Sequence, residues 1–285
     1  MKLDDFEAVF RSSVKKRFQL EAPELTSIML LTDLPLDDAG DLEERVKKFL
    51  SSTLTVDELE WHTVRQDDFG RVGEMIQLVA SERPDMIVSY RHLLGRDKDL
   101  RYSLGSFIDS VTQATEFPVL LLPPLASDGF DKRMSDGIES VLVVTDHIIG
   151  DETLVNWGLL MCPWKGKVIL AHVEDDATYK RYMDIIAMIP DAHTETTAER
   201  IKKKLLGRPR DYIGSIVEAL EEAGIEETVE PLVTMGHSLT DYKRIIEEHD
   251  VDLLVCNTKD ENQLAMHGMA YSIAVEIQDR PILLL

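Results

Sequence analysis

Short apolar runs alternate with amphipathic stretches along almost the whole chain. Residues 27–32 (Ser-Ile-Met-Leu-Leu-Thr) show no polar alternation and read as a strand buried on both faces. The charged stretch 38–50 turns Leu42, Val46, Phe49 and Leu50 to one side, which predicts a helix. Residues 58–65 alternate like a strand, followed by a helix at 69–82, a strand at 85–89, a polar loop, a helix at 105–115 and a strand at 118–122. Pro123-Pro124 and the polar residues after them predict a linker over 125–138. Beyond it come strand 140–145, helix 151–162 and strand 167–173. A helical insertion at 177–223 is expected to break near Pro190 and at Gly207 to Pro209. Strand 228–234, helix 239–248, strand 252–256, helix 268–278 and strand 281–285 complete the series. Upstream, Phe6, Val9, Phe10 and Val14 mark an extra N-terminal helix, expected to pack on the first domain or on a partner chain. Strands alternating with helices predict an α/β fold of parallel sheets covered on both faces.

The pattern occurs twice. Ser27-Ile-Met-Leu-Leu-Thr-Asp33 is echoed by Ser140-Val-Leu-Val-Val-Thr-Asp146, and Gly105 precedes Pro118 by the same thirteen residues that separate Gly268 from Pro281. Four landmarks in one order argue for two Rossmann-like units. The boundaries are a helical extension at 1–25, a first unit at 26–124, a linker at 125–138 and a second unit at 139–285. Pro84-Asp-Met-Ile-Val and Asp250-Val-Asp-Leu-Leu-Val are matching acidic strand openers, so 58–65 is matched to the second unit's third strand. The first unit then has four strands and lacks one strand–helix pair. A pseudo-two-fold with edge pairing of the two last strands is expected, because bare sheet edges are a liability.

Charge narrows the partners. With 53 acidic and 31 basic residues the formal net charge is −22, which repels phosphate backbones and anionic lipid, so neither nucleic acid nor a membrane is expected as a partner. Cys162 and Cys256 lack metal-type spacing and read as two reduced thiols of a cytoplasmic protein. The charged start is unlike a signal peptide.

These landmarks resemble a tandem universal stress protein. That resemblance implies a five-stranded adenine nucleotide alpha hydrolase-like domain whose first strand ends in Asp. Its fourth strand leads into a G-x2-G-x9-G-[S/T] loop that holds ribose and phosphates of ATP or AMP. In the first unit Gly95-x9-Gly105-Ser106 matches the second half of this loop, and His92 stands at the first glycine, where positive φ is disfavoured. The implied nucleotide residues are Asp33, His92, Gly95, Gly105 and Ser106, with Arg91, Arg96, Lys98 and Arg101 making the stretch basic. The alternative is that Gly105-Ser106 and the aspartates only cap helices. In the second unit Asn257, Asp260 and Met269 replace motif residues, leaving Asp146 and Gly268 in a degenerate pocket.

A separate constellation owes nothing to the resemblance. His147, His172, His237, His267 and Cys256 all fall near strand ends on one rim of the second unit, a set that could hold zinc if it converged. No P-loop, nucleophile elbow or Ser/His/Asp order occurs. The leading expectation is a non-enzymatic stress-response module binding at most one adenine nucleotide. A ligand-free scaffold for an unknown protein partner, a homodimer and a metal-binding protein are the alternatives.

Overall fold

In the computed structural model the apolar runs become strands of one continuous sheet. Residues 17–95, 103–145, 148–189, 194–225, 228–258 and 268–285 are described. The strands are β1 (Ser27–Thr32), β2 (Glu60–Arg65), β3 (Met86–Tyr90), β4 (Val119–Leu122), β5 (Ser140–Thr145), β6 (Lys167–Asp175), β7 (Thr228–Gly236), β8 (Leu253–Cys256) and β9 (Ile282–Leu284). The helices are α1 (Leu36–Leu50), α2 (Val72–Glu82), α3 (Ser106–Ala114), α4 (Phe130–Asp136), α5 (Glu152–Leu160), α6 (Asp176–Ala187), α7 (Thr194–Ala223), α8 (Ser238–Glu248) and α9 (Gly268–Glu276). The sheet order is β2-β1-β3-β4-β9-β8-β5-β6-β7. Every neighbouring pair is parallel except β4 and β9, which run antiparallel with Val119 opposite Leu284 and Leu121 opposite Ile282. All seven residues of that seam are buried. The expected edge pairing of the last strands is therefore present, and it makes one sheet where two were expected.

Four expectations need correcting. Strand β2 pairs with β1 from Ser27–Glu60 to Thr32–Arg65, the slot β6 holds beside β5, whereas it was matched to β7. With one strand–helix unit missing, an empty slot would leave both flanking backbones unpaired, so the next strand moves inward. Helix α7 runs through Gly207 and Pro209 unbroken. Its buried Tyr212, Ile213, Ile216 and Leu220 join the same core as β6, and this packing outweighs the lost hydrogen bond at proline. The linker carries α4, whose Phe130 and Met134 are buried one turn apart, between Gly129 and Gly137 at positive φ. Finally, the extension attaches to the second half: Phe18 N–H donates to Ser215 Oγ (3.2 Å) and Glu21 N–H to Asn156 Oδ1 (3.1 Å). The predicted apolar stripe at residues 6–14 lies outside the described residues.

The acidic strand openers have a shared job. Asp85 Oδ2 accepts the N–H groups of Thr26 (2.8 Å) and Ser27 (2.9 Å), while Asp252 Oδ2 accepts those of Glu139 (2.9 Å) and Ser140 (3.0 Å). Each carboxylate thus clamps the start of the strand beside it. Burial alone would raise the Asp85 pKa, but hydrogen bonds from Thr26 and Ser27 together hold it below the ordinary carboxylate value. Charge-assisted bonds of this kind contribute about 1.5–3 kcal/mol each. Asp85→Ala is accordingly expected to cost about 2–4 kcal/mol in denaturant unfolding. The Asp85 contribution is present above the unfolded carboxylate pKa and is lost as pH falls through the depressed folded value, so wild type and variant should converge in acid.

Candidate functional site

Because β4 and β9 are antiparallel, the carboxyl ends of β1 and β3 lie at one end of the sheet and those of β5, β6 and β8 at the other. Ligands of open α/β sheets sit outside such carboxyl ends. Two rims result.

At the first rim a hydrogen-bonded chain runs between β1 and β3. Leu34 N–H donates to Thr32 Oγ1 (3.1 Å), Thr32 Oγ1 lies 3.0 Å from the Tyr90 hydroxyl, and that hydroxyl donates to the Asp33 carboxylate. Asp33 N–H closes the set on Tyr90 Oη at 2.9 Å. Asp33 does not cap α1, whose N-cap position is Pro35. Its partner is Tyr90, one residue past the strand expected at 85–89. The only hint was a tyrosine closing an otherwise apolar run, since a buried phenol needs a partner.

Beyond Tyr90 the chain turns sharply. His92 takes φ +59°, against the expectation, followed by Leu94 at +66° and Gly95 at +58°. Hydrogen bonds from His92 N–H to Leu104 O (2.9 Å) and from Gly95 N–H to His92 O (2.7 Å) hold the turn. They offset a left-handed cost of about 1–2 kcal/mol at a non-glycine residue. Gly105 sits at φ +95°, and a Cβ there would come within 3.0 Å of His92 Cα. Glycine at 105 is thus required by the backbone crossing His92. It occupies the N-cap position of α3, where a glycine supplies no capping side chain; Ser106 is the first residue of the helix. His92, Gly95, Gly105 and Ser106 are therefore gathered around one turn, and Tyr90 links them to Asp33. Arg91 leaves the group: its Nη2 donates to Ile277 O (2.6 Å) just past α9, across the seam. Desolvation lowers its pKa to about 10. Arg96, Lys98 and Arg101 lie outside the described residues.

At the second rim a cavity of about 450 Å³ opens between the halves, lined by residues that include Thr112, Glu116, Asp151, Glu152, Asn257 and Thr258, with no lysine or arginine among the described lining residues. Asp151 Oδ1 caps α5 through Leu154 N–H (3.3 Å), and its Oδ2 accepts from Asn257 Nδ2 (2.6 Å). Phosphate would meet like charge here. Gly268 opens α9, as its motif position predicts, while Asp146 and Asp260 lie outside the described residues.

Among the described members of the proposed histidine set, His172, His237 and Cys256 do not form a group that could share an ion. His172 is buried with Nε2 3.2 Å from Glu174 Oε2. Cys256 is on β8, two strand spacings (about 9–10 Å) from β6, and desolvation pushes its thiol up to about 12, away from a metal-binding thiolate. Among the described residues, the group of three that could share an ion is Asp175, Asp176 and His237, of which sequence reasoning named only His237. Asp175 already caps α6 and Lys180 Nζ lies 2.9 Å from Asp176 Oδ2. His147 and His267 lie outside the described residues.

No protein-family model matches the sequence, and no curated protein does. Solved structures do match. This chain is similar to a universal stress protein structure from Pseudomonas aeruginosa UCBPP-PA14, at TM-score 0.54 and 11% identity over 92% of this chain and 94% of that one. The fold is that of the universal stress proteins. A functionally unknown protein from Pseudomonas aeruginosa PAO1 aligns at TM-score 0.50 and 12% identity, over 92% of this chain and 93% of its own. Such identities speak for the architecture alone. Within the universal stress protein fold of this chain, no described helix is long and apolar enough to cross a membrane.

Burial, then the Asp33 carboxylate, raises the Tyr90 pKa well above that of a free phenol. A raised folded value means this contribution is complete below the unfolded pKa of about 10 and is lost as pH rises through the folded one. Tyr90→Phe should destabilise by about 1–3 kcal/mol at pH 7, by leaving Asp33 unpaired. The variant should also lose stability less steeply than wild type above about pH 10 in urea titrations.

Proposed function

We propose that this chain is a cytoplasmic universal stress protein acting as a non-enzymatic regulatory module, with one weak adenine-nucleotide site at the first rim. The observation that carries this reading is the contrast between rims. At the first, α3 starts at a glycine N-cap position beside the His92–Gly95 turn, where backbone N–H groups and the helix dipole favour an anion. At the second, Asp151 already fills the cap of α5 and the cavity lining is acidic. Gly95, Gly105 and Ser106 would face the phosphates of ATP or AMP, His92 would donate to them, and Asp33 would meet the base. Tyr90 already engages that carboxylate, which favours weak binding.

Thermal shift tests it. AMP or ATP at about ten times Kd stabilises the native state by about 1.4 kcal/mol, a rise of about 2–3 °C. Gly105 is a poor probe because any side chain strikes His92. Ser106→Glu is better: an acidic residue in the first turn suits the helix dipole yet repels phosphate. It should keep the wild-type melting temperature without ligand and lose the shift. Unchanged wild-type melting at saturating nucleotide would favour a ligand-free interaction scaffold, a reading supported by the exposed apolar face of α6.

A further inference from the structure

Helix α6 is the anomaly of the fold. None of its twelve residues is buried, although it carries Tyr179, Tyr182, Met183, Ile185 and Ile186. Six large hydrophobic side chains are strongly exposed among the described residues; Tyr182 (56%) and Ile185 (55%) fall on α6, and Met188 (80%) and Ile189 (55%) on the turn that continues it, where their N–H groups bond Ile185 O and Ile186 O. At helical spacing they form one stripe about 10 Å long. One flank of the helix is anchored, with Tyr179 Oη donating to Ala198 O of α7 (2.8 Å). A helix this short is marginal unless its apolar face is covered.

We propose that this face is covered by α6 of a second copy of the chain, packed antiparallel about a two-fold axis near Ile185. The stripe is self-complementary about that residue, as an isologous contact demands: Tyr182 meets Met188 and Ile189 of the second copy, and Ile185 meets itself. Charge points the same way. The chain carries −22, so most approaches between copies are repulsive, yet α6 holds two acids (Asp176, Asp184) and two bases (Lys180, Arg181) and is neutral. Lys180 pairs with Asp176 inside the helix. Arg181 donates only to Thr178 Oγ1 (3.4 Å), and Asp184 has no ion pair among the described residues, so each is free for its opposite on the second copy. A two-turn stripe covers less than the roughly 800 Å² per partner of a standard interface, so the dimer is weak and concentration-dependent.

Sedimentation equilibrium of the full chain from about 5 to about 500 µM should show the mass rising from monomer toward dimer. Ile185→Glu should hold it at monomer with an unchanged melting temperature, because no buried residue is touched. Arg181→Asp or Asp184→Arg alone should weaken association about fivefold or more, and the double swap should restore it. Three results overturn the proposal: a wild type that stays monomeric throughout, a dimer that survives Ile185→Glu, or a double swap that fails to rescue. Binding to phosphatidylserine-containing vesicles that disappears in Ile185→Glu, with no dimer, would reassign the face to a lipid surface.

Discussion

A parallel sheet cannot finish itself. Whatever strand stands last exposes a row of N–H and C=O groups, and in this chain two such strands, β4 and β9, are almost wholly apolar besides. Left bare, each would template aggregation; joined, each satisfies the other. The joint is antiparallel, and much of the molecule follows from that. It merges four strands and five into one sheet of nine, and it sends the carboxyl ends of the two groups in opposite directions. Each candidate rim therefore borders the strand beginnings of the other half. The second-rim cavity is lined by Thr112 and Glu116 from one half and by Asp151 and Asn257 from the other. Arg91 stitches the opposite end, reaching Ile277 O from the close of β3.

What the sequence revealed was what is decided locally. Thr-Asp at the close of an apolar run and the aspartates opening β3 and β8 each act within one strand pair, so their repetition could be read directly. The slot taken by β2 could not, because pairing depends on which strands are available and not on the strand's own residues. The same holds for α7. Proline at 209 is a strong local breaker, but the decisive term is the row from Tyr212 to Leu220 buried in the shared core, a tertiary fact. Basic residues near a glycine turn suggested an anion site, yet Arg91 points the other way, because a side chain at a strand end has two faces to choose from. His92 shows the limit of residue-type rules at a loop: two backbone hydrogen bonds hold an unfavoured φ in place.

The two rims diverge at one register position. Carried past the last paired residues, the β1–β3 register sets Tyr90 beside Thr32, and the β5–β8 register sets Asn257 beside Thr145. Tyr90 reaches back along its own rim and engages the carboxylate that follows β1. Asn257 engages Asp151, at the start of the next helix. Position 257 therefore stiffens the opening of α5, while position 90 occupies the space over β1. A ligand at the first rim must share Asp33 with Tyr90; a ligand at the second must tolerate the carboxylates around Asp151. The chemistry open to each half follows from a single side chain at the end of a strand, set on strand pairings that the two halves otherwise have in common.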